Sequence, residues 1–327
     1  MFAYILRRLL YAFPILLGIN LLIFGLFFFV NTPENMARTI LGDKRLNQQQ
    51  IENWLREHNY HLPAFYNSAE QVPGNLTQTI FWQKSMQLFL FDFGKSDTDN
   101  VSIGRELLHR IPYSICITMP MFLIGLLLDL FIAMIVAFYR GTYIDYSALV
   151  ICVVMMSISA LFYIIGGQYI IAIRLKLAPV SGFDSQILYS WKFMLMPIII
   201  GIISGMGASI RYYRTIFLEE INKDYIRTAR AKGLSEGSVL FKHALRNAMI
   251  PILTNVIVSI PFLIMGSMLL ENFFGIPGLG GYTIDAIAKQ DFAVIRSMVF
   301  LGSVLNVAAL ILVDVSYTIV DPRIRLG

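Results

Sequence analysis

The sequence predicts an all-α polytopic membrane protein with six transmembrane helices, and three observations carry that reading. Of the 327 residues, 57% are hydrophobic and only 14% are charged, whereas a soluble globular chain carries roughly 25% charged residues. The apolar residues gather into runs of about twenty, the length an α-helix needs to cross a bilayer. The connections between those runs alternate in basic content, as membrane topology requires. Mean hydropathy is accordingly high, at +0.65.

The first element is residues 1–30. MFAYILRR is a short basic start, and an apolar run follows from Leu9 to Val30. A secretory signal would have an apolar core of roughly 7–15 residues and a small-residue cleavage site. This run is longer and ends in FFFVNTPEN, so it is read as an uncleaved N-terminal transmembrane helix. Residues 31–110 form a long extracytoplasmic segment with charges of both signs and an amphipathic helix near Asn47–Glu57. Five further spans make a core over 111–327: Ile115–Phe138, Leu149–Ile173, Phe193–Ile210, Met249–Leu270 and Ser297–Val320. The glycine pair Gly166–Gly167 and the run GIISGMGAS allow helices to approach closely.

Charge sets the orientation. Arg7 and Arg8, Arg140, the basic stretch after the fourth span, and Arg323 with Arg325 fall on one side. The positive-inside rule assigns that side, and both termini, to the cytoplasm. The eight Lys/Arg of residues 31–110 do not count against this, because long loops translocate largely regardless of charge.

The stretch 211–248 is the most informative. From Arg211 to Asn247 it holds eight Lys/Arg against four Asp/Glu, nearly the whole formal surplus of +5. A short helix is expected from Asp224, a plausible N-cap, to Lys232, and a second from Ser235. Gly233 lies between them, where the chain needs a residue tolerant of positive φ. Topology alone explains such a basic stretch, and docking of a cytoplasmic protein explains it equally well. Its tether to membrane spans at both ends argues against a nucleic-acid surface.

Catalytic chemistry is thin. There is no P-loop, no zinc-type histidine spacing and no nucleophile elbow. Cys116 and Cys152 both fall in apolar spans, and the four His are scattered, so neither a disulfide framework nor a metal site is indicated. No cofactor is expected. Asp129 lies within a span, where a charge is costly and faces the bundle interior or a water-filled cavity. It either binds a substrate amine or cation, or is hydrogen-bonded to a neighbouring helix. Phe273, Phe274, Pro277 and Leu279, in an outer connection abutting the fifth span, are candidates for a compact apolar plug beside a pathway.

DYIRTARAKGLSEGSVLFKHALRNAMIPIL resembles the cytoplasmic signature of permease subunits in ABC importers, in the dipeptide/oligopeptide/nickel branch. MFAYILRRLLYAFPILLGINLLIF, FDFGKS, RIPYSICIT, RLKLAPVSGF, LLENFFGIPGLGGYTIDAI and DVSYTIVDPRIRLG match that branch in order along almost the whole chain. Arg227 and Arg246 stand where the broader importer signature has Glu and Pro, and residues 60–90 look longer than usual. The resemblance implies a type I ABC importer permease fold in a bacterial inner membrane, importing short peptides or else nickel or another small solute. It implies a second homologous permease, two ATPase subunits or domains that bind the ATP, and an extracytoplasmic peptide-binding protein as partners. It further implies that Asp224, Arg227, Ala229, Arg230, Ala231, Lys232, Gly233, Leu234 and Ser235 couple to the ATPase. A gradient-driven transporter would instead show internal repeats, and an intramembrane enzyme would need a nucleophile and base within the spans.

Overall fold

The computed structural model describes residues 2–42, 47–68, 72–183 and 187–320. The C-terminal Arg323 and Arg325 lie outside the described residues. In chain order the helices begin with α1 (Phe2–Gly25), prolonged by a wide turn over Leu26–Val30, then α2 (Pro33–Leu41), α3 (Gln48–Glu57) and α4 (Gly74–Thr77). Next come α5 (Ile103–Phe138), α6 (Tyr143–Ser157), α7 (Ala160–Gly167) prolonged to Arg174, and α8 (Ile187–Ile221). The short α9 (Asp224–Ala231) and α10 (Glu236–Ser238) precede α11 (Leu245–Met265), α12 (Met268–Phe274), α13 (Leu279–Lys289) and α14 (Phe292–Val320). Among the described residues there is a single isolated bridge, Lys95 to Ser102, and no named strand.

Five helical stretches are long and apolar enough to cross a bilayer: Leu6–Val30, Ile103–Phe138, Trp191–Ile221, Glu236–Phe274 and Phe292–Tyr317. The expected span Leu149–Ile173 is not one straight helix. It is the pair α6 and α7, bent by 90°, which makes a sixth span if counted as one. No proline or glycine sits at the break. Ile158 is extended (φ −87°, ψ 127°), and the Tyr163 hydroxyl donates to the Met155 carbonyl at 2.9 Å beside the interruption. Many span residues, such as Leu22, Leu127 and Phe162, remain exposed in the isolated chain, as lipid-facing side chains do. The protein is a multi-pass membrane protein.

Two compact units divide the chain. The first comprises residues 1–112 and 281–311. Its core is aromatic: Phe24 and Phe28 of α1 pack with Ile51 and Trp54 of α3, and with Tyr60 and Ile80. The α3 helix forms where the sequence predicts it, and the Gln50 side chain reaches back to accept from the Asn47 N–H at 3.1 Å. The N-terminus of α14 is held by two acids. Asp291 Oδ1 accepts from the Val294 N–H at 3.2 Å, and Asp97 Oδ2 accepts from the Ala293 N–H at 3.0 Å. These bonds satisfy amide groups that a helix leaves without intrahelical partners.

The second unit comprises, among the described residues, 113–280 and 312–320. Gly207 of α8 lies so close to α6 that a Cβ there would stand 2.8 Å from the Cys152 carbonyl oxygen, as the glycine-rich run suggested. At the end of the same helix, Arg214 clasps the buried Asp145 with Nε–Oδ1 and NH2–Oδ2 distances of 2.7 Å. The fourth span therefore does not end at Ile210. It continues as α8 to Ile221, and the first part of the basic stretch is helix rather than loop.

Candidate functional site

Two features of the second unit can do chemistry or couple to it. The first is the helical hairpin after α8. Lys223, not Asp224, is the N-cap of α9, with φ −75° and ψ 153°. Asp224 is the first helical residue, where its charge suits the positive end of the helix dipole, and it is 3.5 Å from Arg227 in an exposed ion pair. Ser235 is the N-cap of α10. Gly233 has φ +76°, the left-handed conformation that the spacing required.

The inner face of α9 is Ile226 and Ala229, which pack with Phe217, Ile221, Val239 and Ala248. Ala229 is thus turned into the protein's own core, whereas Ala231 and Gly233 remain at the surface. Every residue from Arg230 to Gly237 is exposed, including Lys232, Leu234 and Ser235. Arg230 is not a free cation: its Nε and NH2 donate to the two carboxylate oxygens of Glu236 at 2.9 and 3.1 Å, closing the hairpin across Gly233. Behind the hairpin, the Tyr225 hydroxyl donates to Glu220, and Lys223 Nζ lies 2.5 Å from the same carboxylate. Burial and then the bond to Glu220 push the Tyr225 phenol up to about 12, so it stays a neutral donor.

The second feature is a cavity of about 530 Å³ bordered by α5, α8 and α11. Asp129 lines it, together with the polar groups of Thr118, Ser209, Tyr213, Asn255 and Ser259. Gly125 and Gly205 widen it, and a Cβ at Gly205 would meet nothing within 4 Å. Asn255 Nδ2 donates to the Tyr213 hydroxyl at 2.7 Å, which fixes two of the lining groups. Phe273, Phe274 and Pro277 are not among the lining residues. Phe274 is buried against Ile117, Ile164 and Ile276, Pro277 is half-buried, and Phe273 is exposed.

Sequence reasoning missed the anchor of that connection. Glu271 is 1% exposed, and its carboxylate lies against Gly266, Gly278 and Ser114. A Cβ at Gly278 would stand 2.6 Å from Ser114 Oγ, and that hydroxyl accepts from the Leu279 N–H at 2.8 Å. Gly266 and Gly278 thus make room for a buried acid, and the only sequence signal was a glutamate flanked by glycines. Nearby, the Thr118 hydroxyl donates to the Leu263 carbonyl at 2.6 Å, where α11 stops at Gly266 (φ +76°). Among the described residues no cluster of His, Cys, Asp or Glu could hold a metal ion.

Comparison with known proteins gives one family. Residues 105–326 match the model of the binding-protein-dependent transport system inner membrane component. The chain is 29% identical to the oligopeptide transport system permease protein AppB of Bacillus subtilis, over 99% of this chain and 100% of that one. It is 33% identical to the dipeptide transport system permease protein DppB of the same organism, over 81% and 83%. The di/tripeptide transport system permease protein DppB of Pseudomonas aeruginosa is 28% identical over 99% of both.

Proposed function

The chain belongs to the binding-protein-dependent transport system inner membrane component family, and on that premise we propose that it is the permease subunit of an ATP-driven importer of dipeptides or oligopeptides. It forms half of the translocation pathway in a bacterial cytoplasmic membrane, with both termini inside. A second homologous permease completes the pathway, two ABC ATPase subunits or domains bind the nucleotide, and an extracytoplasmic binding protein delivers the peptide. The peptide substrate is supported by the names of relatives that align along nearly the whole chain.

The observation that carries the coupling role is the hairpin itself. It is rigid on one side, where Ile226 and Ala229 anchor it in the core, and continuously exposed on the other from Arg230 to Gly237. A short element held this way transmits a push from a docked ATPase into α8 and α11 without deforming. Asp224, Arg227 and Lys232 supply the charged margin, with Ala231, Gly233, Leu234 and Ser235 at the tip. Asp129 and the connection carrying Phe273, Phe274 and Pro277 belong to the pathway side.

The test is reconstitution. Co-expression with the neighbouring permease and ATPase subunits is expected to yield a complex that imports peptide only with ATP and binding protein. Cysteine at Ser235 is expected to resist impermeant maleimide in intact cells, while cysteine at the exposed Lys95 reacts. Peptide uptake by this chain alone, or external labelling at Ser235, overturns the reading.

A further inference from the structure

Asp129 is 6% exposed, and its Oδ1 has no hydrogen-bond partner. Ser209 is within hydrogen-bonding reach of the carboxyl group. An acid in an apolar span with an unsatisfied oxygen is costly unless a partner arrives. Among the described residues that line the cavity, Asp129 is the only charged one, so the protein supplies no cation to that oxygen. A cavity of about 530 Å³ is far larger than a bare ion needs and lies in the range of small organic ligands, about 300–1,000 Å³. One carboxylate among hydroxyl, amide and apolar groups is also a poor cage for a hard divalent cation, which takes about six to eight oxygens.

We propose that Asp129 receives the ammonium group of the travelling substrate, and that the permease thereby reads positive charge on a peptide during passage. The inference rests on the peptide-importer reading. The neutral lining groups Tyr213, Asn255 and Ser259 leave the rest of the peptide chemically unselected, which suits a pathway for varied side chains.

The experiment uses the complete importer in proteoliposomes, with trialanine and N-acetyltrialanine as probes. The same binding protein delivers substrate to every variant, so its own preference cancels when the ratio of the two uptake rates is compared between variants. Asp129→Asn is expected to lower that ratio by at least about tenfold, the loss of one charge-assisted hydrogen bond, and Asp129→Glu to recover much of it. An unchanged ratio in Asp129→Asn overturns the proposal. If the wild-type importer moves neither peptide, it is the peptide reading that fails. A second measurement needs no variant: carbodiimide modification of Asp129 in the wild-type complex, read by mass spectrometry. Trialanine is expected to slow it and N-acetyltrialanine not to. Equal effects of the two, or complete protection without substrate, would show that the second permease or the fold itself occupies the carboxyl, and would overturn the proposal.

Discussion

Replacing Gly233 by valine tests whether the hairpin geometry matters. Gly233 has φ +76°, and a Cβ at that position meets nothing within 4 Å. The cost therefore has no steric component from neighbours and lies wholly in the backbone, about 1–3 kcal/mol for a branched residue in this region. That corresponds to a shift of about 5- to 150-fold between the native turn and alternatives. The pair that closes the turn, Arg230–Glu236, is exposed, and exposed pairs are worth about 0–1 kcal/mol, which does not offset the upper part of that strain. No described side chain of the spans rests on Gly233, so the thermal midpoint of the membrane core is expected to stay unchanged. The assay is ATPase retention on the purified permease pair, measured beside peptide uptake. Valine is expected to reduce both several-fold, and Gly233→Asn to retain most of both, since asparagine tolerates left-handed backbone. Arg227→Glu, at an exposed pair with 3.5 Å separation, is expected to do less than valine. Full retention and uptake in Gly233→Val, or identical losses in the asparagine and valine variants, would refute the reasoning.

Three further outcomes are expected. Asp145→Ala removes the buried partner of Arg214 and should destabilise the second unit by about 3–5 kcal/mol, read as a lowered thermal midpoint in detergent; a shift within error would show the clasp to be dispensable. Gly278→Ala forces a methyl against Glu271 and Ser114, at about 1–3 kcal/mol, whereas Gly18→Ala, with open space around it, should be silent in the same measurement. Lys84 is lowered to about 8, chiefly by desolvation and then by Arg296. The folded state therefore binds its proton less tightly than the unfolded state, and stability rises with pH between about 8 and the ordinary lysine value of 10.5. Lys84→Met removes that dependence, and the difference in thermal midpoint between the two proteins across this window checks the sign.

Spans and hairpin were legible because each follows from a local constraint. A bilayer of fixed thickness imposes apolar runs of about twenty residues, and a tight helix–turn–helix imposes glycine at the left-handed residue. Hence α3 and the positive φ at Gly233 stand where the sequence placed them, and each expected apolar run falls within a helical stretch or, for Leu149–Ile173, within the bent pair α6 and α7. The same reasoning put the end of the fourth span at Ile210, because hydropathy stops there; the helix itself runs on to Ile221, since polar residues continue a helix as readily as apolar ones.

Residue types and spacing alone determined a six-span helical membrane protein with a basic hairpin and an acid, Asp129, within a span. Only the tertiary structure decided what those groups touch. Asp97 and Asp291 hold the amide groups at the start of α14, with Asp97 bonding to Ala293 across 196 positions of sequence. Ala229, a coupling candidate through the family resemblance, faces inward with Ile226 on the same side of α9. The break at Ile158 has no proline or glycine to announce it, and the sequence does not show that Glu271 lies against Gly266 and Gly278. Where the partner is remote, as for Asp97 with Ala293 and Ser114 with Leu279, local propensity carries no trace of it; elsewhere the burial that fixes the outcome exists only once the helices have packed.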